Sequence, residues 1–532
     1  MVDRLRFLPC GGDGLLVELA DLETTLTLLD RLLAARPEGV TEIVPAAHTV
    51  LVRFNPLFTS PRQLADVIAR NDLSLRSERE GEVFEIPVVY DGEDLADVAE
   101  HLGWSIEEVV RRHSDATYTV AFTGFAPGFA YMTCDDPGFD VPRRKSPRVR
   151  IPAGSVAIAG KFGGIYPSDS PGGWQILGTT PLRMWDTGRE RAAMLAPGDR
   201  VRFRRISAGA HASSPGHPEQ TSQAVPAREG LLVTRADRPA FFQDLGRAGM
   251  AGQGVSKSGA LDRAAIREAN LCVGNRLGEA AIEITYGGFA LLADRPVTVA
   301  AAGAPCYLTI RRTNRPTVSA PTGRPFALDA GDELVFEAPA EGMRSYLAVR
   351  GGFSVDPVLG SASTDTLAKV GPAPIARGEV LVPADRANGS VDPDRPQQKA
   401  LPTALDTVWL DVVLGPRTDW FTDHGLRTLL AQDWTVTAAS SRVGMRLSGA
   451  TPLERRDTAE LASEGTVPGA IQVPHDGQPV LFLADHPITG GYPVIGVLAA
   501  HHLDLAGQIP IGARIRFKAV TAFEPQSRET ER

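Results

Sequence analysis

Ala196-Pro197-Gly198-Asp199-Arg200-Val201-Arg202-Phe203 is the stretch whose reading decides the fold, because its plan recurs along the chain. Ala330-Gly331-Asp332-Glu333-Leu334-Val335-Phe336 and Ile511-Gly512-Ala513-Arg514-Ile515-Arg516-Phe517 follow it: a glycine turn, then alternating apolar and polar residues. A period of two marks a half-buried strand, and glycine supplies the backbone freedom of a tight entry turn. A second echo ties Ile151-Pro152-Ala153-Gly154 and Pro171-Gly172-Gly173-Trp174 to Val467-Pro468-Gly469-Ala470 and Thr489-Gly490-Gly491-Tyr492-Pro493. Together they predict three related β-barrel-like modules, each ending in the turn-and-strand motif. Chance likeness is the competing reading, and it weighs most on the middle copy.

Composition agrees with a β-rich, multidomain chain. The 532 residues include 53 Gly and 41 Pro, with 43% hydrophobic residues for the cores. A net charge of −9 argues against a nucleic-acid surface. No apolar run has the length of a membrane span, and no signal peptide is read at the start. Cys10, Cys134, Cys272 and Cys306 stand far apart, as expected of reduced thiols in a cytoplasmic protein.

Helical spacing is confined to residues 24–35, 60–71, 105–113 and 262–273, with Ser105 and Asp262 as N-caps. The expected organisation is a small α+β domain at 1–85, a β-barrel at 86–208 and a linker at 209–228. A first module of the second half follows at 229–400, then a barrel at 401–525 and a frayed tail at 526–532. The fold class is thus mainly β with a small α+β N-terminal domain.

The motifs name no common cofactor. Residues 154–161 miss the spacing of a phosphate-binding loop, and no zinc pair or dinucleotide fingerprint occurs. No metal ligand set is assigned; His501-His502 reads as a surface loop. Arg143, Arg144 and Arg148 form the strongest cationic cluster, either a phosphate or carboxylate clamp or a solvated loop. Tyr166 and Asp169 lie on the loop that follows, offering a pocket lining or a structural turn. Gln243, Asp244 and Arg247 precede the Ser258-Gly259 loop, where Asp244 and Arg247 either serve a site or pair with each other. Asn270 is placed mid-helix, where Asn wants a partner. Gln472, Asp485, Thr489 and Tyr492 form the polar set of the last module. Asp485 ends an apolar strand as an acid/base or anchoring group, or merely closes a turn.

With these residues assembled, the chain resembles two families that work as a pair, here termed the B and C components. Residues 1–208 resemble the B component, also called allophanate hydrolase subunit 1. That match rests on Gly124-Phe125-Ala126-Pro127-Gly128-Phe129, Pro142-Arg143-Arg144, Pro152-Ala153-Gly154-Ser155-Val156 and Ser170-Pro171-Gly172-Gly173-Trp174-Gln175. Residues 229–525 resemble the C component, or allophanate hydrolase subunit 2, through Gln243-Asp244-Leu245-Gly246-Arg247, Ser258-Gly259-Ala260, Val273-Gly274-Asn275 and Gly469-Ala470-Ile471-Gln472-Val473-Pro474. The linker then looks like a fusion joint.

The resemblance implies cyclophilin-like barrels and one of three roles. One is the B and C components of ATP-dependent 5-oxoprolinase. Another is the carboxyltransferase part of a biotin-dependent urea carboxylase, and the third is a histidine-kinase inhibitor with its antagonist. The first is favoured, because Ala368-Lys369-Val370 is the nearest approach to a biotin carrier and no covalent biotin is expected here. The implied substrate is a small lactam or urea-like molecule, the cofactor ATP with Mg2+, and the partner a lactam-utilisation type subunit; a homo-oligomer stays open. Asn270, Asp485 and Asp244 are then the expected catalytic groups. Phe125, Arg143, Arg144, Arg148, Tyr166, Asp169, Gln243, Arg247, Ser258, Gln472, Thr489 and Tyr492 are the expected binding groups. One departure stands out: Pro487-Ile488-Thr489-Gly490-Gly491-Tyr492 replaces the family's Gln-Thr-Thr-Gly-Gly-Tyr, losing an amide and a hydroxyl. Ser440-Ser441-Arg442-Val443-Gly444-Met445-Arg446 differs slightly from the usual form, a change expected to matter less.

Overall fold

The computed structural model describes residues 4–73, 81–144, 146, 148–207, 229–312, 314–386, 388–392 and 400–529. The expected linker at 209–228 lies outside the described residues, as do residues 530–532 of the tail.

The small domain is one antiparallel sheet in the order Val40–Pro45, Thr49–Phe54, Gly14–Glu18, Arg4–Pro9, Gln526–Glu529. Helices Leu22–Ala34 and Pro61–Ala69 pack Leu28, Leu32, Leu64 and Ile68 into its core with Phe7 and Val52. Asp21 and Ser60 cap them, accepting from Thr24 N and Gln63 N. The last strand replaces the fraying expected of the 526–532 tail with ordered pairing at Gln526–Glu529. Its partners are Phe7↔Gln526 and Leu5↔Arg528, so both ends of the chain share one sheet. Arg528 also reaches Asp66 at 3.2 Å. A polar edge strand is held by backbone pairing and leaves no apolar alternation to read. Deleting residues 526–532 should speed hydrogen exchange of the Arg4–Pro9 amides about tenfold or more, leaving Thr117–Thr123 amides unchanged.

The second module begins at Val83, slightly before the expected boundary. Its seven strands run in the order Gln175–Thr179, Ser155–Ala159, Phe162–Ile165, Ala130–Cys134, Thr117–Thr123, Arg200–Arg205, Val83–Val88. Arg200–Arg205 lies parallel to Val83–Val88, and paired bonds between Val89 and Thr179 (2.9 and 2.8 Å) join the two ends of the order. The last module is a closed barrel with the same device: Arg514–Thr521 runs parallel to Thr407–Leu414. The opening motif therefore encodes the closing strand of both barrels. Gly198 (φ 96°) and Gly512 (φ 93°) provide the left-handed entry turn. The second echo is also structural. Each barrel carries a two-stranded flap, Arg148–Ile151 with Ser170–Gly172 and Glu464–Gly465 with Thr489–Gly490.

The middle module departs from that plan. Sheets of six and five strands face each other over Leu231, Ile282, Phe289, Leu334 and Leu347. Its copy of the motif leads into Glu333–Phe336, an antiparallel strand, so the likeness there is one of turn chemistry. Helix Arg263–Cys272 packs outside on Ala302, Tyr346 and Ala348. Helices Leu95–Leu102 and Asp423–Ala431 were not anticipated; two turns of apolar spacing are too short to stand out. Among the described residues no helix is long and apolar enough to cross a membrane.

Candidate functional site where the two halves meet

The loop after Thr117–Thr123 joins the halves. Phe125 sits at φ 64°, a strained left-handed value for a residue with a side chain. Its N–H donates to Thr489 Oγ1 at 3.1 Å. Gly124 makes that approach feasible, since a Cβ there would lie 2.7 Å from the same oxygen. Thr123 Oγ1 donates to Gly252 O (2.7 Å) and Gly128 N to Gln253 O (3.0 Å). One loop of the first half thus holds both modules of the second.

Behind this loop Phe122, Phe129, Tyr131, Tyr166 and Trp174 form a buried aromatic cluster. Phe125 meets Tyr166 edge to face at 6.1 Å. Arg143 faces Glu460 of the last module at 3.2 Å. On the adjoining loop Gln472 donates to Tyr492 O (3.2 Å), and the half-exposed Tyr492 ring stands edge-on to His475. Phe125, Tyr166 and Thr489 therefore converge as a site set. Gln472 and Tyr492 lie beside them.

A buried ionic network lies deeper. Ser258, at φ 51°, donates to Asp485 Oδ1 at 2.6 Å. Arg442 donates to both oxygens of Asp485 (3.0 and 3.1 Å), to Gly259 O (2.6 Å) and to Glu283. Thr366 adds its N–H (2.9 Å) and hydroxyl (2.8 Å) to Asp485 Oδ2. Asp485 is fully buried and accepts five hydrogen bonds, so it ties the Ser258, Thr366 and Arg442 segments together. Burial, and then the Asp485 charge, push the neighbouring Asp365 carboxyl up.

Several expected site residues hold the scaffold instead. Asn270, fully buried, donates to Glu279 O (2.8 Å) and accepts from Asn275 (3.0 Å), tying its helix to the following turn. Asp244 accepts from Gly246 N, Ala362 N and the Ser361 and Ser363 hydroxyls, clamping a loop. Gln243 donates to Thr364 O at 2.9 Å in the same clamp. Arg144 and Arg148 both bind Asp94, a buried carboxylate that also accepts Ile176 N–H at 2.8 Å. Asp169 accepts from Ala153 N (3.0 Å) and Arg150 (2.8 Å) on an exposed turn. Arg247 does not pair with Asp244: one nitrogen donates to Ser363 O, while its buried Nε and Nη1 have no partner. Burial lowers its pKa.

Sequence reasoning missed Arg442, Glu283, Arg417 and Glu464. Glu283 was the readable one, a carboxylate inside the apolar strand Ala281–Thr285. The segment around Arg442 reads as a minor departure, yet it supplies the central cation. Asp411, His501 and His502 do lie together, but His502 Nδ1 accepts the Asp411 N–H at 2.8 Å, so that lone pair is engaged.

Two buried histidines give the fold an acid limit. Burial holds His113 down to about 3 and His486 down to about 4. The unfolded chain takes up these protons near pH 6.5, whereas the folded chain resists. Stability is full above pH 6.5 and falls towards pH 4 at about 1.4 kcal/mol per pH unit for each proton. Denaturant melts from pH 7 to 4.5 should show that slope.

Two barrels closed by parallel strands and docked through glycine-rich loops define a fused, two-component barrel scaffold. The carboxyltransferase domain model for subdomains C and D matches residues 5–195, and that for subdomains A and B matches residues 253–519. The chain is 34% identical over 308 residues to the C component of 5-oxoprolinase from Escherichia coli K12, covering 57% of this chain and 96% of that relative. It is 42% identical over 173 residues to the B component of 5-oxoprolinase from Escherichia coli O157:H7, covering 31% and 78%. The crystal structure of TTHA0988 superposes with a TM-score of 0.79 at 33% identity, covering 95% of this chain and 99% of that one. The chain belongs to the carboxyltransferase-domain family that includes the B and C components of 5-oxoprolinase, with both kinds of component in one polypeptide.

Proposed function

We propose that this chain supplies the B and C components of an ATP-dependent 5-oxoprolinase, opening 5-oxo-L-proline to L-glutamate together with a separate lactam-utilisation type subunit. The observation that carries this reading is the docking of a B-like and a C-like half through Phe125 and Thr489. A lactam amide resists water; phosphorylation of its carbonyl oxygen by ATP with Mg2+ would activate the carbon for attack by water, after which C–N cleavage frees the amine and loss of phosphate leaves the carboxylate. The Arg144 and Arg148 guanidiniums are engaged by Asp94, so this cluster does not fit a triphosphate. The ATP site is accordingly sought elsewhere than in this cluster. Arg247, with two buried nitrogens that lack a hydrogen-bond partner, is one donor this chain offers to developing negative charge.

A second reading, carboxyl transfer to urea, draws on the name of the matching domain family. No biotin is placed on this chain; Lys369 sits at φ 55° in a tight turn. Phosphate release from MgATP separates the readings. With both proteins present it should rise with 5-oxo-L-proline and not with urea; transfer from carboxybiotin to urea would favour the second.

A further inference from the structure

A cavity of about 470 Å³ opens between the small domain, the 248–263 loop and the last barrel, with Ser258 in its lining. Its size suits a small organic ligand. Leu51, Leu261, Ile488 and Val497 give it an apolar wall, and Arg53, Lys257 and Arg263 bring cations to it.

Two of these cations are already paired. Asp13 pairs with Arg53, and Asp504 pairs with Arg263 at 3.1 Å. Lys257 makes no ion pair among the described residues, although Glu42 also lines the cavity. Desolvation, then the nearby Arg263, Arg53 and Arg267, hold the Lys257 ammonium below the usual lysine value. Arg53 Nε is buried without a partner. Three cations thus meet three carboxylates, and Lys257 is the cation left without a direct ion pair among the described residues.

A neutral acceptor faces the same space. His486 lines the cavity, and its Nδ1 lies 2.8 Å from Pro487 O, which can only accept. The proton is therefore on Nδ1, and Nε2 carries the lone pair. No donor among the described residues reaches that nitrogen. A ligand N–H would.

We propose that this cavity binds a small carboxylic acid carrying an N–H donor on a short apolar skeleton. Lys257 attracts the carboxylate, with the paired Arg53 and Arg263 flanking it, and His486 Nε2 accepts the N–H. The cyclic amide acid of the preceding section has that chemistry; the inference rests on that reading only for the choice of probe.

Calorimetric titration of the full chain alone tests it, with 5-oxo-L-proline, cyclopentanecarboxylate and inorganic phosphate as probes. Cyclopentanecarboxylate keeps the ring and the charge but lacks the N–H. Saturable binding of 5-oxo-L-proline is expected, weakened about tenfold by Lys257→Met and about tenfold tighter than cyclopentanecarboxylate or phosphate. Lys257 is exposed at the cavity mouth, so this variant should keep the parent's melting profile. No binding, equal binding by Lys257→Met, or equal binding of the other probes would overturn the inference. Turnover with the partner subunit, alongside any of these, would leave the proposed function standing. Binding as expected with no turnover would remove the function and leave the cavity assignment.

Discussion

Arg442→Met is expected to lower folding stability by about 3–5 kcal/mol, read from urea melts at pH 7. Arg442 joins Asp485 of the last barrel to Glu283 of the middle module, and all three side chains are 5% exposed or less. Removing the cation strips Asp485 of its ion pair and leaves Glu283 with only Arg344, 3.7 Å away, in a low-dielectric site. The penalty comes from those stranded charges more than from lost attraction. Arg442→Met combined with Glu283→Gln and Asp485→Asn should therefore recover part of the loss. If the single variant melts like the parent, the network is not a determinant of how the two modules hold together.

Arg417→Met is the second large effect, again about 3–5 kcal/mol, and it should act on the docking of the small domain. Arg417 donates to both oxygens of Glu464 at 3.0 Å and to Glu18 of the small domain at 2.7 Å. Burial raises the Glu464 pKa even with Arg417 present. Without Arg417 the carboxyl should take a proton readily, so the destabilisation shrinks as pH falls. Arg417→Met with Glu464→Gln should be close to the parent at neutral pH. Hydrogen exchange in the strand Gly14–Glu18 would report the undocking, faster in the single variant and restored in the double. Equal exchange in both would assign the bridge no docking role.

Local signals carried much of this architecture. The glycine-turn motif at 196–203 and 511–517 marked the closing strands because a positive-φ glycine and a period-two strand are both encoded locally. Capping residues at Ser105 and Asp262 marked their helices for the same reason. The candidate site's meeting loops were legible where a loop's composition was unusual, as at Phe125, Ser258 and Thr489. It was illegible where the partner lay far along the chain. Arg144 and Arg148 looked free because Asp94 stands some fifty residues earlier. Asp485 looked like a base because Arg442 and Thr366 approach it from distant segments. The strand Gln526–Glu529 looked like a tail because its strand neighbour among the described residues is at the opposite end of the sequence.

The most direct test of the central claim measures glutamate formed from 5-oxo-L-proline and MgATP by this chain, by a lactam-utilisation type subunit, and by the two together. Glutamate from the mixture and from neither protein alone is the predicted result. No glutamate from a mixture in which both proteins are folded would contradict the claim.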